Sequence, residues 1–288
     1  MSAEWLAAEP MAVVIGCGGL GSSIARALGR RHPLLLVDID GPRLGEVVEA
    51  LRIAGYTVSG EICDITDAGQ TRALGAALAG GPGLRALAMV AAVGKSIGSW
   101  RRMMEIDLLG ARLIADALGP HMVRGGAAVL ISSLASYLPP NRQEIDAALR
   151  DPLHAEFFDR LANAIGYEPG AEEAYNYAKL GINRLAEQLA VEWGPRGVRA
   201  VSLSPGMIDS PMARAEGADL PSHDGTNARL SRADKAREIP LARQGSMLEV
   251  TNVIDFLLSD AASFINGIDI TVDGGHRAAW RGAGVISR

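Results

Sequence analysis

The sequence predicts a single doubly wound α/β domain on a seven-stranded parallel sheet, and three observations predict it. Seven short apolar runs are spread through the 288 residues, with helix-like stretches between them. Several runs are continuously apolar rather than alternating, as parallel strands covered on both faces must be. A glycine-rich turn then joins the first run directly to the first helical pattern.

In chain order, the strands are expected at 12–15, 34–37, 56–61, 84–90, 127–132, 198–204 and 268–272. Helical patterns cover 22–31 after the first strand and 71–78 after the third. A third covers 178–193, where Leu180, Ile182, Leu185, Leu189 and Trp193 recur at helical spacing. Two segments break the rhythm. Residues 137–170 contain Pro139, Pro140, Pro152 and Pro169 around a helical stretch at Leu153, Phe157, Leu161 and Ile165. Residues 210–238 are polar, rich in charge and without a strand pattern. Long irregular segments in a compact domain serve as lids or binding loops, so 137–170 is expected to be a helical insertion and 210–238 a substrate lid.

Composition narrows the partners. Hydrophobic residues make up 48% of the chain and the formal net charge is −5. Arg and Asp/Glu are interspersed and no basic stripe stands out, which argues against nucleic acid. Two cysteines, Cys17 and Cys63, make no disulfide framework, and a reducing, cytoplasmic setting is expected. Neither sits in a metal-ligand cluster, so no metal is expected. Residues 1–10 carry Glu4 and Glu9 and no basic stretch, and no apolar run reaches spanning length. Neither a signal peptide nor a membrane partner is expected.

The turn after the first strand reads Gly16-Cys17-Gly18-Gly19-Leu20-Gly21, a G-x-G-x-x-G pattern. Glycines let backbone N–H groups approach a pyrophosphate, and the helix N-terminus adds its positive dipole end. The pattern alone is weak, but the strand before it, the helix after it and an acid about 20 residues on all agree. That acid is Asp38, at the end of the second strand. A carboxylate there accepts hydrogen bonds from a ribose diol and repels a 2′-phosphate, so NAD is expected over NADP.

Tyr175 and Lys179 stand four apart in a helical stretch and so share a face. A cation about 4 Å from a phenol contributes about 4 kcal/mol at an effective dielectric of 20, enough to favour phenolate near neutral pH. The pair can therefore act as a general acid or base. Taken alone, Tyr-x-x-x-Lys is more often an ordinary solvated helix face.

Several motifs occur together in a fixed order: the Gly16–Gly21 turn, Asp38, Asp64 in Cys-Asp-Ile-Thr, and Ile131-Ser132-Ser133. Tyr175 to Lys179, Ser204-Pro205-Gly206 and Val272-Asp273-Gly274-Gly275 complete the series. In this order the chain resembles the short-chain dehydrogenases/reductases over about residues 12–275, and the fold implied is of Rossmann type. The resemblance implies an oxidoreductase interconverting a secondary alcohol and a ketone with NAD(H). Ser133 would bind the substrate oxygen, Tyr175 would be the acid/base, and Lys179 would hold the nicotinamide ribose. Asp107 occupies the fourth catalytic position. Gly16, Gly18, Gly19, Leu20, Gly21, Asp38, Asp64, Ile65, Ala91 and Ala92 would line the adenosine and pyrophosphate half. Pro205, Gly206, Ile208 and Ser210 would flank the carboxamide. Among members, the bacterial hydroxysteroid dehydrogenases share a helical insertion between the serine and the tyrosine, which implies a homodimer or homotetramer here.

Three positions depart from the family pattern. The glycine turn is one residue shorter between Gly16 and Gly19. Ala92 stands where a glycine is usual. Asp107 stands where the family carries asparagine, and an ionised Asp107 near Lys179 would hold the lysine proton more tightly and offset its effect on Tyr175. These departures sustain an alternative, a catalytically silent NAD-binding sensor or scaffold, which the intact Ser133, Tyr175 and Lys179 oppose. For the substrate, Met207, Met212, Leu220, Phe157 and Phe158 are candidates for an apolar pocket suited to a steroid or similar hydrophobic carbonyl, although core packing is their commoner use.

Overall fold

All seven expected strands form. The computed structural model describes residues 9–94, 97–215, 219–221 and 229–286. The strands are β1 (Met11–Ile15), β2 (Leu34–Asp38), β3 (Val58–Ile62), β4 (Leu84–Met89), β5 (Met122–Ile131), β6 (Arg199–Pro205) and β7 (Asp269–Val272). They make one sheet in the order β7-β6-β5-β4-β1-β2-β3, and every pairing is parallel. The order reverses between β1 and β4. In such a sheet the ends of those two strands diverge and leave a crevice at their carboxyl side.

Side-chain alternation along each strand divides the core into two layers. Val13, Ile15, Leu35, Val37 and Leu87 face one way. They pack under α3 (Ala68–Ala77), α5 (Gly110–Leu118) and α8 (Ala171–Trp193), through residues such as Leu74, Ile114 and Leu185. Ala12, Val14, Leu34, Leu36 and Val129 face the other way. There they meet α1 (Gly19–Leu28), α2 (Gly41–Ile53) and α9 (Met247–Leu257), through Ile24, Leu44 and Ile254. Polar caps set several starts. The Asp67 side chain accepts from Gly69 N and Gln70 N, so α3 begins before the expected residue 71. Ser246 and Glu249 form a reciprocal capping box at α9. Between α4 (Trp100–Met104) and α5 the helix takes one π turn, Glu105–Leu109.

The insertion at 137–170 carries α6 (Gln143–Leu149) and α7 (Phe157–Ile165). It is no surface excursion, because Ile145, Leu149, Phe157 and Leu161 belong to the same core layer as α8. This decides two candidate pocket residues in favour of packing, the commoner use of such side chains. Phe157 is 2% exposed in that core, and Phe158 packs edge-on to Trp100 at 5.4 Å. The apolar stripe of α7 faces its neighbouring helices, so neither ring reaches the crevice.

Segment 210–238 holds a helix at Pro211–Ala215, an antiparallel pair of Asp219–Pro221 with Arg229–Ser231, and a helix at Arg232–Ala236. The strand pair corrects the expectation of a segment without strands; three residues are too few for period-2 alternation to register. Residues 216–218 and 222–228 of the expected lid lie outside the described residues, as do the side chains of Met212 and Leu220. Residues 1–8, read above for a targeting signal, also lie outside them. Among the described residues, no helix is long and apolar enough to cross a membrane.

Candidate active site

The glycine turn is shaped by contacts that admit no side chain at three of its positions. Gly16 has φ +93°, and a Cβ there would come within 2.6 Å of Ala91 N. A Cβ on Gly21 would sit 1.8 Å from Gly16 O, and one on Gly19 would meet Pro211 Cδ at 2.9 Å. Gly18 differs, since a Cβ there meets nothing within 4 Å. Packing does not demand glycine at that position; open cradle space does. Gly18 is also the N-cap of α1, gives no side-chain cap, and is followed by a first turn free of acidic residues. The positive end of α1 is thus left to a ligand, as a pyrophosphate requires.

Asp38 ends β2 beside this turn. Its Oδ2 accepts from Cys17 N at 2.6 Å and its Oδ1 from Asp40 N at 2.9 Å. A carboxylate has about four acceptor sites, so two remain for a diol. Burial, with Asp38 next in weight, pushes the Cys17 thiol up to about 12. Both cysteines are free and buried. At the end of β3, Asp64 Oδ1 accepts from Thr66 N and Thr66 Oγ1, which closes the turn that presents Ile65.

The catalytic candidates converge from three elements. Ser133 follows β5, and its Oγ accepts from Ala135 N at 3.2 Å. Its neighbour Ser132 donates to Lys179 O at 2.8 Å, which ties the strand end to α8. Tyr175 and Lys179 lie one turn apart on α8, with Lys179 Nζ 5.4 Å from the tyrosine ring centre. Lys179 is 2% exposed, and its Nζ forms an ion pair of 3.0 Å with Asp107 Oδ2. Asp107 sits in the π turn and is itself 1% exposed. Its Oδ1 accepts from Val93 N at 2.8 Å, which anchors the loop after β4. Burial pulls the Lys179 ammonium down, but Asp107 and then Tyr175 override it and hold its pKa above the ordinary lysine value.

One cavity of about 1120 Å³ runs from the glycine turn to the far side of Tyr175. Every expected cofactor position borders it: the Gly16–Gly21 turn, Asp38, Asp64 and Ile65, Ala91 and Ala92, then Pro205, Gly206, Ile208 and Ser210. Ser133, Tyr175 and Lys179 border it too, while Asp107 lies behind Lys179. Of the apolar pocket candidates with described side chains, Met207 lines the cavity. Lys235, His276 and Trp280 also line it and were not foreseen. Each is an isolated residue without a motif, and His276 had only its place directly after Gly274-Gly275 to mark it.

Comparisons with known proteins agree with this layout. The family model for short chain dehydrogenase matches residues 10–145, and that for Enoyl-(Acyl carrier protein) reductase matches residues 161–277. The chain is 28% identical to the cis-4-hydroxycyclohexanecarboxylate dehydrogenase of Sinomonas cyclohexanicum, over 94% of this chain and 98% of that one. It is 28% identical to the 3-alpha-hydroxysteroid dehydrogenase/carbonyl reductase of Comamonas testosteroni, over 93% and 97% of the two chains. Among solved structures, a short-chain type dehydrogenase/reductase from Mycobacterium ulcerans superposes with a TM-score of 0.73 at 27% identity, covering 93% of this chain and 90% of that one.

Proposed function

Since the chain belongs to the short-chain dehydrogenase/reductase family, we propose that it is an NAD(H)-dependent oxidoreductase interconverting a hydrophobic secondary alcohol and its ketone. The observation that carries this reading is the single cavity, which joins the glycine turn and Asp38 to Ser133, Tyr175 and Lys179. The two relatives named above are called dehydrogenases of a hydroxylated cyclohexane acid and of a hydroxysteroid, so a ring-borne alcohol is the favoured substrate.

When bound, NAD supplies the hydride acceptor or donor. The chain's own residues do the rest. The open cradle at Gly18 and the uncapped start of α1 receive the pyrophosphate. The free acceptor sites of Asp38 take the ribose hydroxyls and disfavour a 2′-phosphate. Asp64 and Ile65, with Ala91 and Ala92, would hold the adenosine, while Pro205, Gly206, Ile208 and Ser210 would flank the carboxamide. Ser133 Oγ donates to the substrate oxygen. The phenolate of Tyr175 takes the alcohol proton in oxidation, and the phenol so formed gives it back in reduction. Lys179 holds the ribose and favours the phenolate, and Asp107 fixes the lysine in place.

Purified protein is mixed with NAD⁺ or NADP⁺ and a panel of cyclic and steroidal secondary alcohols, and absorbance from the reduced nicotinamide is followed. Turnover with NAD⁺, lost by at least 100-fold in Tyr175→Phe with NADH binding retained, is expected. No turnover with either cofactor in either direction, despite measurable NADH binding, would return the weight to a silent binder. The insertion supports assembly as a homodimer or homotetramer, which sedimentation velocity reads directly.

A further inference from the structure

The cavity also carries polar groups that the reaction described above leaves without work. His276, the first residue of α10 (His276–Gly282), is 2% exposed and faces the cavity. Among the described residues, neither Nδ1 nor Nε2 has a hydrogen-bond partner. A buried polar side chain left unpaired is destabilising, and native chains keep few of them. Beside it stands Lys235, 3% exposed, on the same wall. Its Nζ lies 2.6 Å from Glu238 Oε2, on a carboxylate side chain that is 30% exposed. Burial and the Lys235 charge both hold His276 below its ordinary pKa, so the imidazole rests neutral with one N–H to give.

Two other charged groups nearby are already engaged. Arg232 gives its guanidinium to Ala213 O, Ile208 O and Gln244 Oε1. Asp273 accepts from Gly275 N and Arg277 N, which fixes the start of α10. The cavity also has apolar lining: Leu134 and Leu138 pack with Trp280, whose ring centre lies 4.7 Å from that of the imidazole. One cavity is therefore lined by the proton-transfer groups Ser133 and Tyr175, by the apolar Leu134, Leu138 and Trp280, and by a buried lysine and imidazole.

We propose that the substrate is an anionic alcohol, with a carboxylate at the far end of its apolar body received by Lys235 Nζ and the His276 N–H. A carboxylate is the group that satisfies both at once: it accepts from the imidazole and balances an ammonium whose present partner is part-solvated. A neutral hydroxyl would fill the imidazole and leave the buried lysine no better paired. The proposal rests on the oxidoreductase reading and specifies its substrate class.

The test pairs acids with their neutral esters. Hydroxy acids from 4-hydroxycyclohexanecarboxylate up to a 3-hydroxysteroid with a side-chain carboxylate are assayed with NAD⁺ beside their methyl esters. At least one acid is expected to exceed its ester by tenfold or more in kcat/KM. Lys235→Met is expected to reduce that acid-to-ester ratio at least tenfold, and Lys235→Arg, which keeps the charge, to restore most of it. Circular dichroism checks that each variant is folded. No preference for any acid, or a Lys235→Met loss equal for acid and ester, would overturn the proposal. If nothing is turned over, the oxidoreductase reading has failed. Calorimetry of the NAD⁺ complex with cyclohexanecarboxylate and its amide then decides the carboxylate site separately. Binding of the acid alone, abolished in Lys235→Met, upholds it; equal or absent binding of both overturns it.

Discussion

Replacing Asp107 by asparagine removes one charge from the buried pair and leaves the shape nearly intact. At 3.0 Å, two unit charges interact with about 5.5 kcal/mol at an effective dielectric of 20. That is an upper bound on what Asp107 supplies to the Lys179 ammonium. The carboxylate also opposes a second negative charge, so it disfavours the Tyr175 phenolate that alcohol oxidation uses. In Asp107→Asn that opposition is gone, while the amide oxygen can still accept from Val93 N–H. The acid limb of kcat/KM for alcohol oxidation is expected to move to lower pH by on the order of one unit, a fraction of the upper bound because Tyr175 is farther off than Lys179. The assay is kcat/KM against pH from 5.5 to 10 for both proteins, with NAD⁺ saturating. A profile that stayed in place would refute the reasoning, since the carboxylate would then have no hold on the proton-transfer group; a move to higher pH would refute its premise that Lys179 keeps its charge over the acid limb without Asp107.

Three further outcomes follow from the geometry. Gly21→Ala places a methyl 1.8 Å from Gly16 O, so the turn must open; NADH affinity in a fluorescence titration is expected to fall tenfold or more, with a stability loss of about 1–3 kcal/mol in thermal melts. With its pKa at about 12, the Cys17 thiol is ionised to about one part in ten thousand at pH 8, so iodoacetamide should leave the Cys17 peptide unmodified for an hour by mass spectrometry. His276 has a depressed pKa in the folded chain, through burial and Lys235 against Glu238 and Asp273, whereas the unfolded imidazole titrates near 6.5. Stability contributed by the neutral ring is therefore present above about pH 6.5 and lost below it, by at most about 1.4 kcal/mol per pH unit. His276→Gln should flatten that part of the denaturant-derived stability curve, and an unchanged slope would show that the imidazole is not the group responsible.

The sheet was legible because parallel strands buried on both faces are written as continuous apolar runs, and all seven runs became strands. The candidate cofactor positions were easy to name because they are local, a glycine turn and one acid at a fixed distance, and all of them border one cavity. The start of α8 was less so. The helix begins at Ala171, after Gly170, which offers no side-chain cap, and its first turn is polar. Phe157 and Phe158 read equally well as pocket or core until the packing of α7 decided between them. Lys235 and His276 illustrate the opposite limit. They stand 41 positions apart with no pattern between them, and only the return of the chain after β7 brings them to one wall. Asp107 was read as a departure, but its direct pairing with Lys179 depends on the π turn that carries it.

That pairing also explains how a fully buried lysine is tolerated, and the explanation has a measurable sign. Taking an ammonium out of water costs several kcal/mol, and removing one partner of a buried pair costs about 3–5 kcal/mol. With Asp107 present, the folded-state pKa of Lys179 is raised, so the stability that the pair contributes is complete below the ordinary lysine value and is lost only above about pH 10.5. In Asp107→Asn the burial of Lys179 acts without its counter-charge and depresses the same pKa. The variant must then gain stability as pH rises towards 10, because the folded state releases the proton that the unfolded chain keeps. The native chain gains nothing from this group over that range. The stability gap between the two proteins is therefore expected to narrow steadily from pH 7 to pH 10 in urea unfolding. A gap that stayed constant would mean that Lys179 keeps its proton without Asp107, and that the carboxylate serves the Val93 loop rather than the lysine.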